Sequence, residues 1–220
     1  MPSTKLLILS TVLSAALAVP NVTVVPTTGG CAAYPGYDAS SGIAGPWTIV
    51  VNQCDNSSIE NFGDNSQVYR KAGDTGIHQG VITIASVNDQ AKNPLRCNAR
   101  TGALEAYTAT GVSGYAWNQV NITEYPYNAQ LMWGLGQSGT PVEAYHHYVD
   151  GVQQPGLFLG QANVTTWGIK KYPADSATTL DNEPYWGFRL LGPKSSIPWL
   201  NGSALFPDEY RTFIKVYGSD

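Results

Sequence analysis

Apolar and polar residues alternate over short stretches separated by glycine, proline and asparagine. In "GPWTIVV", Trp47, Ile49 and Val51 share one face of an extended chain, and in "AQLMWGLG" Leu131, Trp133 and Leu135 do the same. In "GVITIASV" both faces are apolar, which predicts a strand covered on both sides. The same reading places strands over 47–51, 81–87, 104–108, 117–124, 129–135, 142–149, 157–159, 167–172, 185–190 and 210–217. No stripe of helical period runs between them, and only "DNSSIENF" suits a short helical turn, capped by Asp55 or Asn56. Short, closely spaced strands without amphipathic helices predict a mainly β fold, an antiparallel β-sandwich or jelly-roll-like architecture with low helix content. Two related runs, "TTWGIKKYP" and "PYWGFRLLGP", predict a pair of similar edge strands and fall short of a repeat architecture.

The first residues break this pattern. Lys5 precedes an apolar run from Leu6 to Val19 that contains Ala16-Leu17-Ala18, a small-residue cleavage pattern, so residues 1–18 read as a signal peptide. The run is too short for a membrane span, which needs about 20 apolar residues. The polar C-terminal stretch "EYRTFIKVYGSD" predicts no lipid-anchor signal. Residues 19–220 then form a single secreted domain, of which 19–44 reads as an irregular N-terminal arm. Without the signal the chain carries 11 basic and 16 acidic residues and no basic cluster, which argues against nucleic acid and anionic membrane as partners.

A secreted chain changes the reading of its cysteines and asparagines. Cys31, Cys54 and Cys97 permit three pairings with one thiol left over, and the shortest loop favours Cys31 with Cys54. Five Asn-x-Ser/Thr sequons, at Asn21, Asn56, Asn121, Asn163 and Asn201, predict N-glycosylation at several solvent-facing positions. Around Asn121, Val120 and Ile122 share one strand face while Gln119, Asn121 and Thr123 share the other, so a sugar there is expected on a wet face.

Candidate chemistry is sparse. Asp150-Gly151 is a two-residue hairpin signal flanked by "VEAYHHYV" and "VQQPGLFLG". Strand alternation puts Glu143, Tyr145, His147 and Val149 on one side, with Ala144, His146 and Tyr148 on the other. The adjacent histidines therefore point apart and cannot chelate one ion, and neither they nor His78 predict a metal site. A catalytic alternative would use Glu143 and His147 with Glu105, because glycoside hydrolysis needs two carboxyl groups roughly 5 to 10 Å apart across a cleft. Glu124 is a further strand-borne carboxylate, and nothing in the sequence pairs any two of these. "GVSGY" and "GQSGT" lack the nucleophile-elbow glycine pattern, no His-Glu-x-x-His run exists, and no cofactor is predicted.

Aromatic residues are the richer feature, with 13 Tyr and 6 Trp. Trp47, Trp133 and Trp167 fit core positions. Tyr125, Tyr127, Tyr185 and Trp199 have proline neighbours that place them in loops, where they suit stacking on sugar or anchoring a protein partner. At "CAAYPGYDASSGIAGPWTIVV" and "AYHHYVDG", with "LFLG" after it, the chain resembles small secreted N-glycosylated cell-wall and infection-structure (appressorium-type) proteins of filamentous fungi. That resemblance implies a wall-associated or released protein made during development or host contact, and it transfers no residue roles. The expectation is a secreted, N-glycosylated cell-wall or cell-surface protein without enzymatic activity, whose partner is wall polysaccharide or an extracellular protein. A carbohydrate-binding or carbohydrate-active β-sandwich, either lectin-like or a glycosidase or lyase, is the alternative.

Overall fold

The computed structural model describes residues 19–70, 78–87, 93–110, 114–124, 127–134, 139–174, 183–193, 195 and 202–220. Residues 1–18, which the sequence reads as a signal peptide, lie outside these residues, as do Leu135, Tyr125, Trp199 and Asn201. The strands are β1 (Thr23–Pro26), β2 (Tyr37–Asp38), β3 (Ile43–Trp47), β4 (Ile49–Asn52), β5 (Asp64–Arg70), β6 (Gln79–Ala85), β7 (Leu95–Asn98), β8 (Ala103–Ala109) and β9 (Tyr115–Ile122). They continue with β10 (Leu131–Trp133), β11 (Thr140–Pro141), β12 (Glu143–Val149), β13 (Val152–Gln153), β14 (Phe158–Gly160), β15 (Thr166–Tyr172), β16 (Tyr185–Leu190) and β17 (Tyr210–Val216). Two single 3₁₀ turns, Gly30–Ala33 and Ser57–Ile59, are the helical elements among the described residues. The second is capped by Asn56, whose side chain accepts the Ser58 N–H at 3.1 Å. Among the described residues no helix is long and apolar enough to cross a membrane.

All strand pairs are antiparallel, and part of the ladder closes on itself. β4 pairs with β17, β17 with β15, β15 with β16, β16 with β6 and β6 with β5. A bridge between Val50 and Gly63, just before β5, returns the circuit to β4. Alternate residues of this ring, Ile49 and Val51, Ile82 and Ile84, Trp167 and Ile169, Trp186 and Phe188, Ile214 and Val216, point to one common hydrophobic core. From β6 the sheet extends through β10 to β9, β8, β7, β3 and β2. From β17 it extends through β14 to β12, which carries β1 on its other edge.

The outer face of the ring is covered too, which explains why β16 is buried at every position. Arg189 projects there and directs its donors at the segment that crosses it. Its Nε and Nη2 grip Glu209 at 2.8 and 2.7 Å, and its remaining N–H groups reach the carbonyls of Ser195, Gly202 and Ala204. The guanidinium also lies 4.0 Å over the Phe206 ring. This buried ion pair fastens residues 202–209 across the sheet.

The related Trp-Gly runs have a packing reason. Each Trp, Trp167 and Trp186, enters the ring core, while the following glycine leaves space on the outer face. A Cβ on Gly168 would stand 2.7 Å from the Glu209 carboxyl carbon, and one on Gly187 would stand 2.8 Å from the Tyr172 ring. The expectation of two edge strands is corrected by the pairing: β15 and β16 bond to each other and each has a second neighbour, so both are interior.

β1 corrects the irregular-arm expectation, because Thr23–Pro26 joins the sheet in register with Tyr148 to Tyr145. The disulfide is Cys31–Cys97, not Cys31–Cys54. Pairing of β3 with β7 sets Ala44 beside Cys97, and the turn holding Cys31 packs against that end of the sheet, so spatial neighbourhood overrides loop length. Cys54 is buried and free, and burial pushes its thiol up to about 11.

Candidate functional site

The Asp150-Gly151 hairpin forms as the sequence predicts. Both residues have positive φ, 50° and 79°, the geometry of a type I′ turn, and β12 pairs with β13 from Val149↔Val152. Along β12 three of the four residues on one face, Glu143, Tyr145 and His147, meet three different environments. Glu143 is exposed and accepts the Tyr145 hydroxyl and, at 2.9 Å, the Ala162 N–H. Tyr145 is buried, its phenol pushed up to about 12 by burial and the neighbouring Glu143, and its oxygen accepts the Asn163 N–H at 2.9 Å. His147 is 1 % exposed, with its ring face to face with Phe158 at 3.7 Å and edge-on to Phe213. Its Nε2 meets Thr165 Oγ1 at 2.8 Å, and burial pulls its pKa down to about 4.

The Glu143, His147 and Glu105 set therefore does not converge. His147 is closed off among phenylalanines, and the group that stands between it and Glu143 is Tyr145 of the same strand. Glu105 lies on the face of β8 opposite Leu104, ion-paired to Arg96 Nε at 2.6 Å and bonded by Asn98 Nδ2 at 3.0 Å. His146 points the other way, as alternation requires, and its Nδ1 meets Gln153 at 3.1 Å. Among the described residues no group of three or more His, Cys, Asp or Glu is placed to hold a metal ion.

Glu143 and Tyr145 do line a groove of about 560 Å³, together with Tyr34, Leu104, Asn163 and the disulfide. Tyr34 stacks flat on Trp47 at 5.2 Å, and burial with the nearby Glu143 charge raises its phenol. Glu143 is the single carboxylate among the described lining residues, so the groove has none of the paired acid and base that glycoside hydrolysis uses.

A second surface has a different character. On β8 and β9 the outward residues form a ladder: Glu105 opposite Gln119, Tyr107 opposite Trp117 and Ala109 opposite Tyr115. Tyr107 and Tyr115 are 40 % and 62 % exposed. Tyr107 stacks on Tyr115 at 5.7 Å and meets Trp117 at 5.3 Å. Arg96, from β7, covers Trp117 at 4.3 Å while holding Glu105, so the aromatic shelf runs into a row of polar groups. The underlying strands are rigid because Leu104, Ala106 and Val120 anchor their inner faces in the core.

The loop aromatics fare unevenly. Tyr127 is 40 % exposed in the turn whose N–H bonds the Glu124 carbonyl at 2.8 Å. Tyr185 is corrected: it is 2 % exposed, opens β16 and stacks on Tyr172 at 5.0 Å, because its proline neighbour precedes a strand covered on both faces. Sequence reasoning passed over Tyr107, Tyr115 and Trp117, although period-2 alternation through "LEAYTA" and "YAWNQ" puts the three on one face. Of the sequons, Asn21 and Asn163 are exposed and Asn56 is half-buried. Asn121 departs from the wet-face expectation: it is 5 % exposed, between β10 and β11, since Met132 and Pro141 flank it and Gln119 bonds its Oδ1 at 3.1 Å. Compared with known proteins, the chain matches no family model and no curated protein sequence.

Proposed function

We propose that this is a secreted, N-glycosylated cell-wall or cell-surface protein that holds wall polysaccharide on the Tyr107–Tyr115–Trp117 shelf without cleaving it. The leader, the sequons and the resemblance to fungal wall and infection-structure proteins support the extracellular setting, and the disulfide is compatible with it. The observation that carries the binding role is the shelf itself. Tyr107 and Tyr115, exposed on a core-anchored pair of strands, offer apolar ring surface to the apolar side of a sugar ring, and Trp117 under Arg96 backs them. Arg96 and Gln119, both partly exposed, stand beside them to bond its hydroxyls, and the buried Glu105 holds Arg96 in place. Arg96 and Glu105 cancel in charge, which suits a neutral polymer.

Co-sedimentation of the secreted protein with insoluble chitin, cellulose and β-glucan tests this, with reducing ends assayed in the same tubes. The expected result is retention by at least one polymer, no release of sugar ends, and at least tenfold weaker retention for Tyr107→Ala and Tyr115→Ala. Such losses are in the range of hot-spot aromatics, about 2 kcal/mol. Tyr115 is mostly solvent-exposed, so its replacement leaves the melting temperature within a few degrees. Retention unchanged by both substitutions overturns the shelf, and release of reducing ends overturns the non-enzymatic reading.

A further inference from the structure

The N-terminal arm is held at both ends. At one end the Val19 backbone nitrogen lies 3.0 Å from Asp55 Oδ1. Asp55 is itself fixed, since its Oδ2 accepts the Arg211 N–H at 3.2 Å and its own N–H donates to the Arg211 carbonyl at 2.9 Å. At the other end Cys31 is joined to Cys97. Between them β1 runs along the edge of β12, and the Thr27 N–H donates to the Ala144 carbonyl at 2.9 Å. Pro26, Thr27, Gly29 and Gly30 then form one wall of the groove that faces Glu143 and Tyr145.

Val19 is also the residue that follows the Ala16-Leu17-Ala18 cleavage pattern. Hydrolysis of the Ala18–Val19 peptide bond by a signal peptidase, with water as co-reactant, leaves a carboxylate on Ala18 and a free amine on Val19. At neutral pH most of that amine takes up a proton, because an α-amino group has an ordinary pKa of about 7.7–8.0. A neutral amide with one N–H is thereby replaced by a cation with three, at a position already within bonding distance of a carboxylate.

We infer that Asp55 is the binding site for the processed N-terminus: the Val19 α-ammonium pairs with its carboxylate, and cleavage at Ala18–Val19 locks the arm that walls the groove. The inference rests on the secreted reading of the chain and adds a site that the sequence pattern alone does not supply. Capture of a terminal amine needs a fixed acceptor, and the paired backbone bonds between Asp55 and Arg211 provide one.

The test combines mapping with a two-by-two comparison. Intact mass and N-terminal peptide mapping of the secreted protein should show Val19 as the first residue. The mature chain and a chain retaining Ala18 before Val19 are then each made with Asp55 and with Asp55→Asn, and unfolding midpoints and hydrogen exchange of the 23–26 amides are read. The expected result is faster exchange, by about tenfold, in the Ala18-extended chain than in the mature chain. Asp55→Asn should lower the midpoint by several degrees in the mature chain and by less than half as much in the extended one. The first comparison needs no substitution at Asp55, so a variant that fails to fold leaves it intact. Equal exchange in the mature and extended chains, or an equal Asp55→Asn effect in both, overturns the inference, because Asp55 would then serve only the Arg211 backbone. A first residue other than Val19 overturns it while leaving secretion standing. A secreted chain that keeps residues 1–18 overturns both.

Discussion

His147 lies flat against Phe158, with ring centroids 3.7 Å apart and planes within 4° of parallel. A protonated imidazole in that sandwich would lose water, and the partner of its Nε2 among the described residues is the neutral Thr165 hydroxyl. The fold therefore holds His147 neutral, with a pKa down at about 4 against an ordinary value of 6.5. The unfolded chain binds the proton more readily, so stability from this residue is fully present above about pH 6.5 and is lost as pH falls towards 4. Between pH 7 and pH 4 the expected loss is on the order of 3 kcal/mol. Urea unfolding of the parent and of His147→Gln across this range checks it, and a parent curve no steeper than that of the variant refutes the assignment.

The cysteines should behave differently from one another. Cys31–Cys97 closes a loop with a sequence separation of 66, worth roughly 4 kcal/mol in the chain-entropy model. Cys31→Ser with Cys97→Ser is expected to cost about that much in denaturant unfolding. Cys54 is buried with its thiol pushed up to about 11, so a thiol reagent at neutral pH should label it only after denaturation. Fast labelling of the native protein would contradict the structure.

Removing one partner of the Arg189–Glu209 pair should be severe. Both side chains are almost fully buried, at 5 % and 4 % exposure, and Glu209→Gln leaves the guanidinium without its counter-charge. The expected cost is about 3–5 kcal/mol. Because Arg189 also binds the carbonyls of Gly202 and Ala204, proteolysis of the variant should first strike residues 202–209. A loss below about 1 kcal/mol would show that this clamp carries little of the fold's stability.

Glycopeptide mapping should distinguish the sequons by exposure. Asn21 and Asn163 stand in solvent, and the Asn56 cap engages Oδ1 while leaving Nδ2 for a sugar. Asn121 is enclosed between two strands. Sugar is expected at the first three and absent from Asn121. Full occupancy at Asn121 would mean that β10 and β11 do not enclose this side chain while the sugar is attached.

Each of the ten segments expected from alternation and turn residues holds strand among its described residues, with 47–51 divided at Thr48 between β3 and β4, because side-chain period and glycine or asparagine geometry are local properties of the chain. The Asp150-Gly151 turn, the Asn56 cap and the opposed directions of His146 and His147 belong to the same class. What alternation cannot tell is whether the second face of a strand meets water or another layer. That choice buries Asn121, Tyr185 and His147, and it exposes Tyr107 and Tyr115 on a strand pair otherwise anchored in the core. The four-residue β1 and the mostly polar β5 form because partners elsewhere in the chain complete their ladders.

Composition, leader pattern and sequons depend on residue identity alone, and they determined the compartment in which the chain is expected to act. The tertiary structure decided which residues meet. It joined Cys31 to Cys97 across 66 positions, clamped Arg189 to Glu209, separated Glu143 from Glu105 and brought Val19 to Asp55. Each of these rests on contacts between distant segments, whose closure the local pattern does not encode.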